Sequence, residues 1–389
     1  MAIRRHLHQH PELSLHETRT AAYIQEKLAE LEIPSVNGFG RTGVIALLGE
    51  AERTLPVVGL RADMDALPVT EETRLFFGSG TPGIMHACGH DGHVAMLLGA
   101  AVLLQRHGNI PGRVKLIFQP AEEHGNGADL LVKAGVLDDV GAVFAGHIDT
   151  HFQTGQITVD EGIICAFSDP FSVRIRGRGG HAARPHEATD AIVAASSLVM
   201  SVQTLISREV DPNRAAVITI GSFQGGTVNN VIAGEALLNG TMRTTDETTR
   251  DKTIRGLQRM VSALQGMYGV QAEIVFEPGL PAVVNSRRAA KIARAAARDT
   301  TPVDKVISQG LPSLGAEDFA FYQQRVDGCL VRFGGASSAT AGPAHSSTFD
   351  FDEKCLEIGS RWLAHVAWRW LEQAPTPALE TGKSCPPIS

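Results

Sequence analysis

Residues 85–123 read MHACGHDGHVAMLLGAAVLLQRHGNIPGRVKLIFQPAEE. Within them HVAMLLGAAVLLQRHG carries small and aliphatic residues on every side, the pattern of a buried helix. GRVKLIFQPAEE follows as an apolar run of strand length that ends in two carboxylates. A helix joined to a hydrophobic strand, with Cys, His and Glu at the junctions, points to an α/β architecture. Functional groups lie just past strand ends, where open α/β sheets place their sites.

The same texture extends on both sides. Upstream, ETRTAAYIQEKLAELE (17–32) repeats apolar groups at helical spacing, and RTGVIALLG and LPVVGLRADMDAL read as short strands. Downstream, the strand GAVFAGHI ends near His147. From about residue 166 the pattern changes. DPFSVRIRGRG alternates like a half-solvated strand, ATDAIVAASSLVMSVQTLISR is a long helix, and AAVITIGSFQGG and EALLNGTMRT are strands. DKTIRGLQRMVSALQGMYG is a second helix before QAEIVFEPG. This β-α-β-β-α-β order is that of a ferredoxin-like α+β unit, whose exposed edge strands can continue into a partner's sheet. Helices are expected again at SRRAAKIARAAARD, EDFAFYQQ and FDEKCLEIGSRWLAHVAWRWLEQA. The expected layout is a catalytic domain in two parts, 1–165 and 282–375, with a domain inserted at 166–281. A disordered tail is expected at 376–389, and Cys385 within it is assigned no chemistry.

Composition narrows the function classes. The chain has 389 residues and a formal charge of −7 with both signs dispersed. That gives no basic footprint for nucleic acid, and small molecules are the better partners. No run of about eighteen apolar residues suggests a membrane span, and no apolar segment follows the charged N-terminus. The five cysteines, at 88, 165, 329, 355 and 385, form no stapling pattern. A reducing, cytoplasmic setting is expected.

Candidate chemistry comes from four places: Cys88 and His90, Glu122 and Glu123, His147 in FAGHID, and His345 in GPAHSSTFD. Together they supply a mixed S, N and O shell large enough for two metal ions of borderline character: zinc, manganese, cobalt or nickel. Adjacent side chains at a strand end point to opposite sides, so one glutamate can face an ion and the other is free to act as a base. His93 opens the following helix and also suits a cap or a supporting donor. His124, His151, His181 and His186 compete with His147 and His345, and spacing alone does not choose among them.

Longer motifs add a resemblance. HQHPELSLHE, LRADMDALPV, HACGHDGHVAMLLGAA, IFQPAEE, GHAARPHEATDA, GGTVNNVI, GTMR, GAEDFAFY and GPAHSSTFDFDE run from residue 8 to about 353. In that order they resemble the dinuclear metallopeptidase and amidohydrolase family that includes aminoacylase. The branch is that of hippurate hydrolases, auxin-conjugate hydrolases and bacterial N-acyl-amino-acid amidohydrolases. The resemblance implies a zinc-peptidase-like α/β catalytic domain with an inserted dimerisation, or lid, domain. It implies metal ligation by Cys88, His90, Glu123, His147 and His345, with Glu122 as general base. It further implies that His181 steadies an oxyanion across a homodimer interface, and that Asn230 and Arg243 hold the substrate. A homotetramer is the alternative assembly. The expected activity is metal-dependent hydrolysis of an N-acyl-L-amino acid.

This chain departs from the family pattern in GHIDTHFQTG, where an apolar, Pro-containing stretch is usual. Ala233 replaces a proline after NNVI, and Glu187 and Ala188 stand where a glycine is common nearby. These changes leave the presumed chemistry intact and bear on pocket walls, hence on acyl or amino-acid preference. Competing readings are a dipeptidase or carboxypeptidase with the same site, a non-catalytic binding protein, and a cysteine hydrolase. The last is disfavoured because Cys88 and His90, two apart in a tight segment, rarely reach nucleophile–base geometry.

Overall fold

The computed structural model describes residues 1–50, 55–336 and 341–374; the expected tail and Cys385 lie outside them. Its contacts divide the chain into two compact units. One comprises Met1–Gly162, Asn285–Gln309 and Phe321–Ser389, the other Ile163–Val284 and Gly310–Ala320.

The first unit opens with helices α1 (Ala2–Gln9) and α2 (Thr18–Glu30), then strands β1 (Ser35–Phe39), β2 (Gly43–Gly49) and β3 (Val57–Asp63). Helix α3 (His90–His107), β4 (Arg113–Gln119) and β5 (Val140–Asp149) follow. An eight-stranded sheet runs β1-β2-β4-β3-β5, then Asp327–Gly334, Ile157–Thr158 and Val306–Ile307. β3 is parallel to both its neighbours, and β5 is parallel to the Asp327–Gly334 strand. Every residue of β3 is buried, as in a parallel strand covered on both faces. Helix α3 packs on the Cys355–Gln373 helix, and Gly99 beside Ser360 sets how near the two backbones come. Trp362, fully buried, donates its indole N–H to the Ala293 carbonyl and so ties the last helix to Arg287–Thr300.

Two elements went unread in the sequence and a third is shorter than expected. The short, polar segment at Ala2–Gln9 is helical because Arg4, Leu7 and His8 are buried. GCLVRF is a strand, since an apolar run of this length carries no periodicity to reveal its type. Around EDFAFYQQ only Ala320–Gln323 is helical. Residues 310–320 group with the second unit because Ser313 N–H donates to the Ile164 carbonyl while Ala166 N–H donates to Ser313.

The second unit holds a four-stranded antiparallel sheet ordered Ala216–Gly225, Glu235–Thr244, Phe167–Arg176, Gln271–Phe276. Helices Ala191–Glu209 and Glu247–Tyr268 are capped by Asp190 and Asp246. Leu198, Val202, Leu257 and Val261 from these helices form a core with Val173, Ile175 and Leu238 of the sheet. Ala191–Glu209 is long and apolar enough to cross a membrane by composition alone, but its apolar stripe is this core.

Gly146, one residue before His147, faces the buried ring of Phe333 so closely that a Cβ would overlap it. Gly146→Ala should therefore destabilise the fold by about 1–3 kcal/mol, read as a lower midpoint in urea at unchanged slope. An unaltered midpoint would show that the ring yields freely.

Candidate metal centre

β3 and β5 are neighbours, and the chain leaves β3 toward β4 on one side but leaves β5 toward the Ile157–Thr158 strand on the other, the arrangement that opens a crevice beyond the carboxyl ends. Asp63 stands level with Gln119 across β3 and β4. Met64-Asp65 and Pro120-Ala121-Glu122-Glu123 run on past these ends, His147 lies in the last turn of β5, and Cys88-Gly89-His90 leads into α3. Gly89 takes a left-handed φ of 96°, which lets the chain turn from the thiol directly into the helix. Beside the candidate donors, two non-glycine residues share that region: Ala121 (φ 54°), just before the glutamate pair, and His345 (φ 68°). His345 is held there by its N–H, which donates to the Ala87 carbonyl at 2.7 Å.

The six donors expected from four separate segments come together. Cys88, His90 and His147 place ligand atoms within 4.8 Å of one another, as do Cys88, Glu123 and His345, and also His90, Glu122 and Glu123. Cys88 Sγ is 3.5 Å from His147 Nε2, and His345 Nε2 is 3.2 Å from Glu123 Oε1.

Orientation comes from the ring nitrogens that face away. His90 donates from Nδ1 to the Asp65 carbonyl at 2.9 Å, and His147 from Nδ1 to the Ile148 carbonyl at 2.6 Å. With both rings neutral, as ligation requires, the Nε2 lone pairs point into the cluster. His90 Nε2 and Glu123 Oε1 are buried without a hydrogen bond and lie 3.8 Å apart. An imidazole nitrogen facing a carboxylate oxygen that only the His345 ring approaches, at 3.2 Å, beside a thiol and the His147 ring, fits a divalent cation.

Without a cation, the local field leaves only His147 in its ligating form, so binding would release protons from His90 and Cys88. Burial is the strongest single influence on His90 and opposes its charge, but Asp63, Cys88 and Asp65 together raise it well above the usual imidazole value. Burial, with Glu123 nearby, pushes the Cys88 thiol up to about 12, so without a cation it stays protonated. Burial, reinforced by His93 and Arg332, holds His147 well below its ordinary value and therefore neutral.

His93 groups with Asp63 and His90, but both of its nitrogens are engaged: Nδ1 by Asp63 Oδ1 at 2.5 Å, Nε2 by the Ile148 N–H at 2.8 Å. Among the described residues His124, His151 and His186 enter no donor group. His151 instead contacts Asp149 Oδ1 at 2.7 Å.

His181, Asn230 and Arg243 belong to the second unit. His181 pairs with Val231 in a two-stranded ladder, and its Nδ1 accepts the Ala183 N–H at 3.0 Å. The Asn230 carbonyl accepts the Ala182 N–H, and its side chain is exposed. Arg243 lies opposite Val217 and Ser168, half-buried, with no side-chain hydrogen bond or ion pair among the described residues. Burial lowers its pKa, with Asp169 opposing.

Sequence reasoning missed the supporting carboxylates. Asp65 accepts the backbone N–H groups of Glu122 and Glu123, each at 3.1 Å, and the Ser14 hydroxyl at 2.6 Å. The signal lay in RADMD, two carboxylates two residues apart at the end of an apolar strand and hence on one face. A second network supports α3: buried Asp91 accepts from Arg4 Nε at 3.1 Å and from His8 at 2.8 Å, while Arg4 also reaches Asp350 and Glu353.

The chain matches the profile of peptidase family M20/M25/M40 over residues 59–369. It is 38% identical over 376 residues to N-acetyl-L-cysteine deacetylase of Bacillus subtilis (strain 168), covering 96% of this chain and 88% of that relative. Thermostable carboxypeptidase 1 of Saccharolobus solfataricus is also 38% identical, over 379 residues, covering 94% and 93%. The crystal structure of the Bacillus subtilis YXEP protein, described as a dinuclear metal binding peptidase, aligns with a TM-score of 0.84. That alignment has 35% identity over 96% of this chain and 97% of the other.

Burial alone would lower the pKa of His8, but hydrogen bonds to Asp91 and Glu71 raise it to about 9. A raised folded-state pKa stabilises fully below the unfolded value, about 6.5, and this is lost as pH rises through about 9. Thermal stability should thus fall between pH 6.5 and 9.5, by about 1–3 kcal/mol from this group. His8→Gln should flatten that slope, and an identical slope in wild type and variant would exclude His8 as its origin.

Proposed function

The chain belongs to peptidase family M20/M25/M40, and on that premise we propose that it hydrolyses the amide bond of N-acyl-L-amino acids in a metal-dependent reaction. The products are a carboxylic acid and a free amino acid. The observation that carries the reading is the convergence of Cys88, His90, Glu122, Glu123, His147 and His345, with two buried donor atoms left open toward each other. Cys88, His90, Glu123, His147 and His345 would hold two divalent ions, drawn from manganese, zinc, nickel or cobalt. Bound there, such ions supply Lewis acidity, which lowers the pKa of water and polarises an amide carbonyl.

The remaining work falls to the chain's own groups. Glu122, beside His90 and Glu123, takes a proton from the attacking water and returns it to the departing nitrogen. His181 accepts the Ala183 N–H at Nδ1, so its neutral ring carries the proton on Nε2 and can donate to a developing oxyanion. Arg243, half-buried with no ion pair among the described residues, suits bidentate pairing with the amino acid's carboxylate. Asn230 is assigned a second polar contact to the substrate.

In this reading the second unit is the lid and dimerisation domain. Ala216–Gly225 and Gln271–Phe276 are the outer strands of its sheet and have unpaired backbone edges to offer a second copy. A reducing cytoplasm would keep Cys88 available as a ligand.

Carboxypeptidase or dipeptidase activity is the second reading, because identity to a deacetylase and to a carboxypeptidase is equal at 38%. The Cys-x-His form of the first motif favours acyl removal. A panel of N-acetyl, N-benzoyl and indole-acyl amino acids beside dipeptides, after chelation and single-metal addition, separates the two. Metal-restored release of the acyl acid is expected, and cleavage confined to dipeptides would transfer the assignment to peptidase.

Glu122→Gln should keep its bound metal and lose about 10²–10⁴-fold in kcat; undiminished turnover would remove Glu122 as the base. Arg243→Ala should raise KM for carboxylated substrates and spare the corresponding uncharged amides. Equal losses on both substrate types would refute the carboxylate role.

A further inference from the structure

We infer that His93 and Asp63 are positioning residues for His147, replacing β3 as the backbone partner of β5 where β3 stops. The β3–β5 ladder ends at Arg61 opposite Ala145, yet β5 continues to Asp149 alongside the Asp327–Gly334 strand. Ile148, buried in this extension, turns its N–H and C=O to imidazoles: the N–H donates to His93 Nε2 at 2.8 Å and the carbonyl accepts from His147 Nδ1 at 2.6 Å.

The proton positions follow from these partners. Ile148 offers an N–H, so His93 Nε2 must be bare and Nδ1 carries the proton, which it donates to Asp63 Oδ1 at 2.5 Å. Asp63 is fixed in turn, its Oδ2 accepting from Arg61 Nη1 at 2.6 Å while Arg61 Nε donates to Gln119 Oε1 at 2.8 Å. A continuous line of hydrogen bonds therefore runs from the end of β4 through β3 and α3 to the peptide that orients His147. His93 and His147 also meet ring edge to ring face, with centroids 4.7 Å apart. Removing the His93 ring would leave a buried N–H without an acceptor and free the Ile148 peptide to rotate, carrying the acceptor of His147 with it.

The inference rests on the metal reading above, and titration of the full-length, metal-free chain with cobalt(II) tests both. Binding is followed by calorimetry and by the thiolate-to-cobalt and ligand-field absorption bands. His93→Ala should weaken binding of one cobalt equivalent about 10–100-fold and shift the ligand-field bands. His93→Gln, whose amide can accept from Ile148 and donate to Asp63, should recover most of the affinity. Wild-type affinity in folded His93→Ala overturns the inference. Equal damage in the Gln variant also overturns it, since the imidazole itself would then be needed as a ligand. If the Ala variant does not fold, Asp63→Asn must weaken cobalt binding in the same direction, and wild-type affinity there is equally fatal. A wild-type chain that binds no cobalt overturns the metal reading and this one with it, whereas tight wild-type binding with an unaffected His93→Ala overturns this one alone.

Discussion

Asp65 is the group on which the candidate centre depends. Its carboxylate, fully removed from water, accepts the backbone N–H groups of Glu122 and Glu123 and the Ser14 hydroxyl, while its carbonyl accepts the His90 ring. One residue past the end of β3 thereby sets the direction of the glutamate pair after β4 and the tautomer of the histidine that opens α3. Burial alone would raise its pKa, but these donors, led by His90, bring it below the ordinary carboxylate range. A buried anion so fully satisfied acts as a rigid template, because moving any one donor leaves charge uncompensated in a medium of low dielectric.

Around this template the fold concentrates features that cost stability. Asp63 and Arg61 are charged residues in a strand with no exposed position, and Ala121 and His345 hold left-handed backbone without being glycine. His90 Nε2 and Glu123 Oε1 are buried with no hydrogen bond. Asp63 and Ala121 lie at or just past the carboxyl ends of β3 and β4. Elsewhere the sheet is ordinary apolar packing, with Leu60, Leu116 and Phe144 fully buried. Left-handed backbone also occurs elsewhere, at Leu15 and Arg74 for example, but here it coincides with unmet polar atoms on groups that can bind a cation, which is what a binding centre requires.

Much of this was legible in the chain itself. The helix of α3, the strands flanking it and the second unit's helices and sheet each announce themselves by period, and Cys88-x-His90 and Glu122-Glu123 sit at the junctions where a site is expected. Legibility failed where the signal is not local. The Ala2–Gln9 helix exists because Arg4 and His8 meet Asp91, more than eighty residues away. The Asp327–Gly334 strand is apolar throughout, and only its place beside β5 identifies it.

Sequence by itself determined the type of the long periodic elements, the order of the two architectures along the chain, and the inventory of thiol, imidazole and carboxylate groups, since periodicity and turn chemistry act over a few neighbouring residues. Only the tertiary structure decided which histidines face the donor cluster. His90 and His93 are three residues apart on one helix, yet the first leaves Nε2 bare and the second has both nitrogens occupied by Asp63 and Ile148. That difference arises from partners on two other strands, and a hydrogen bond between residues 30 or 55 apart leaves no mark on the spacing of either.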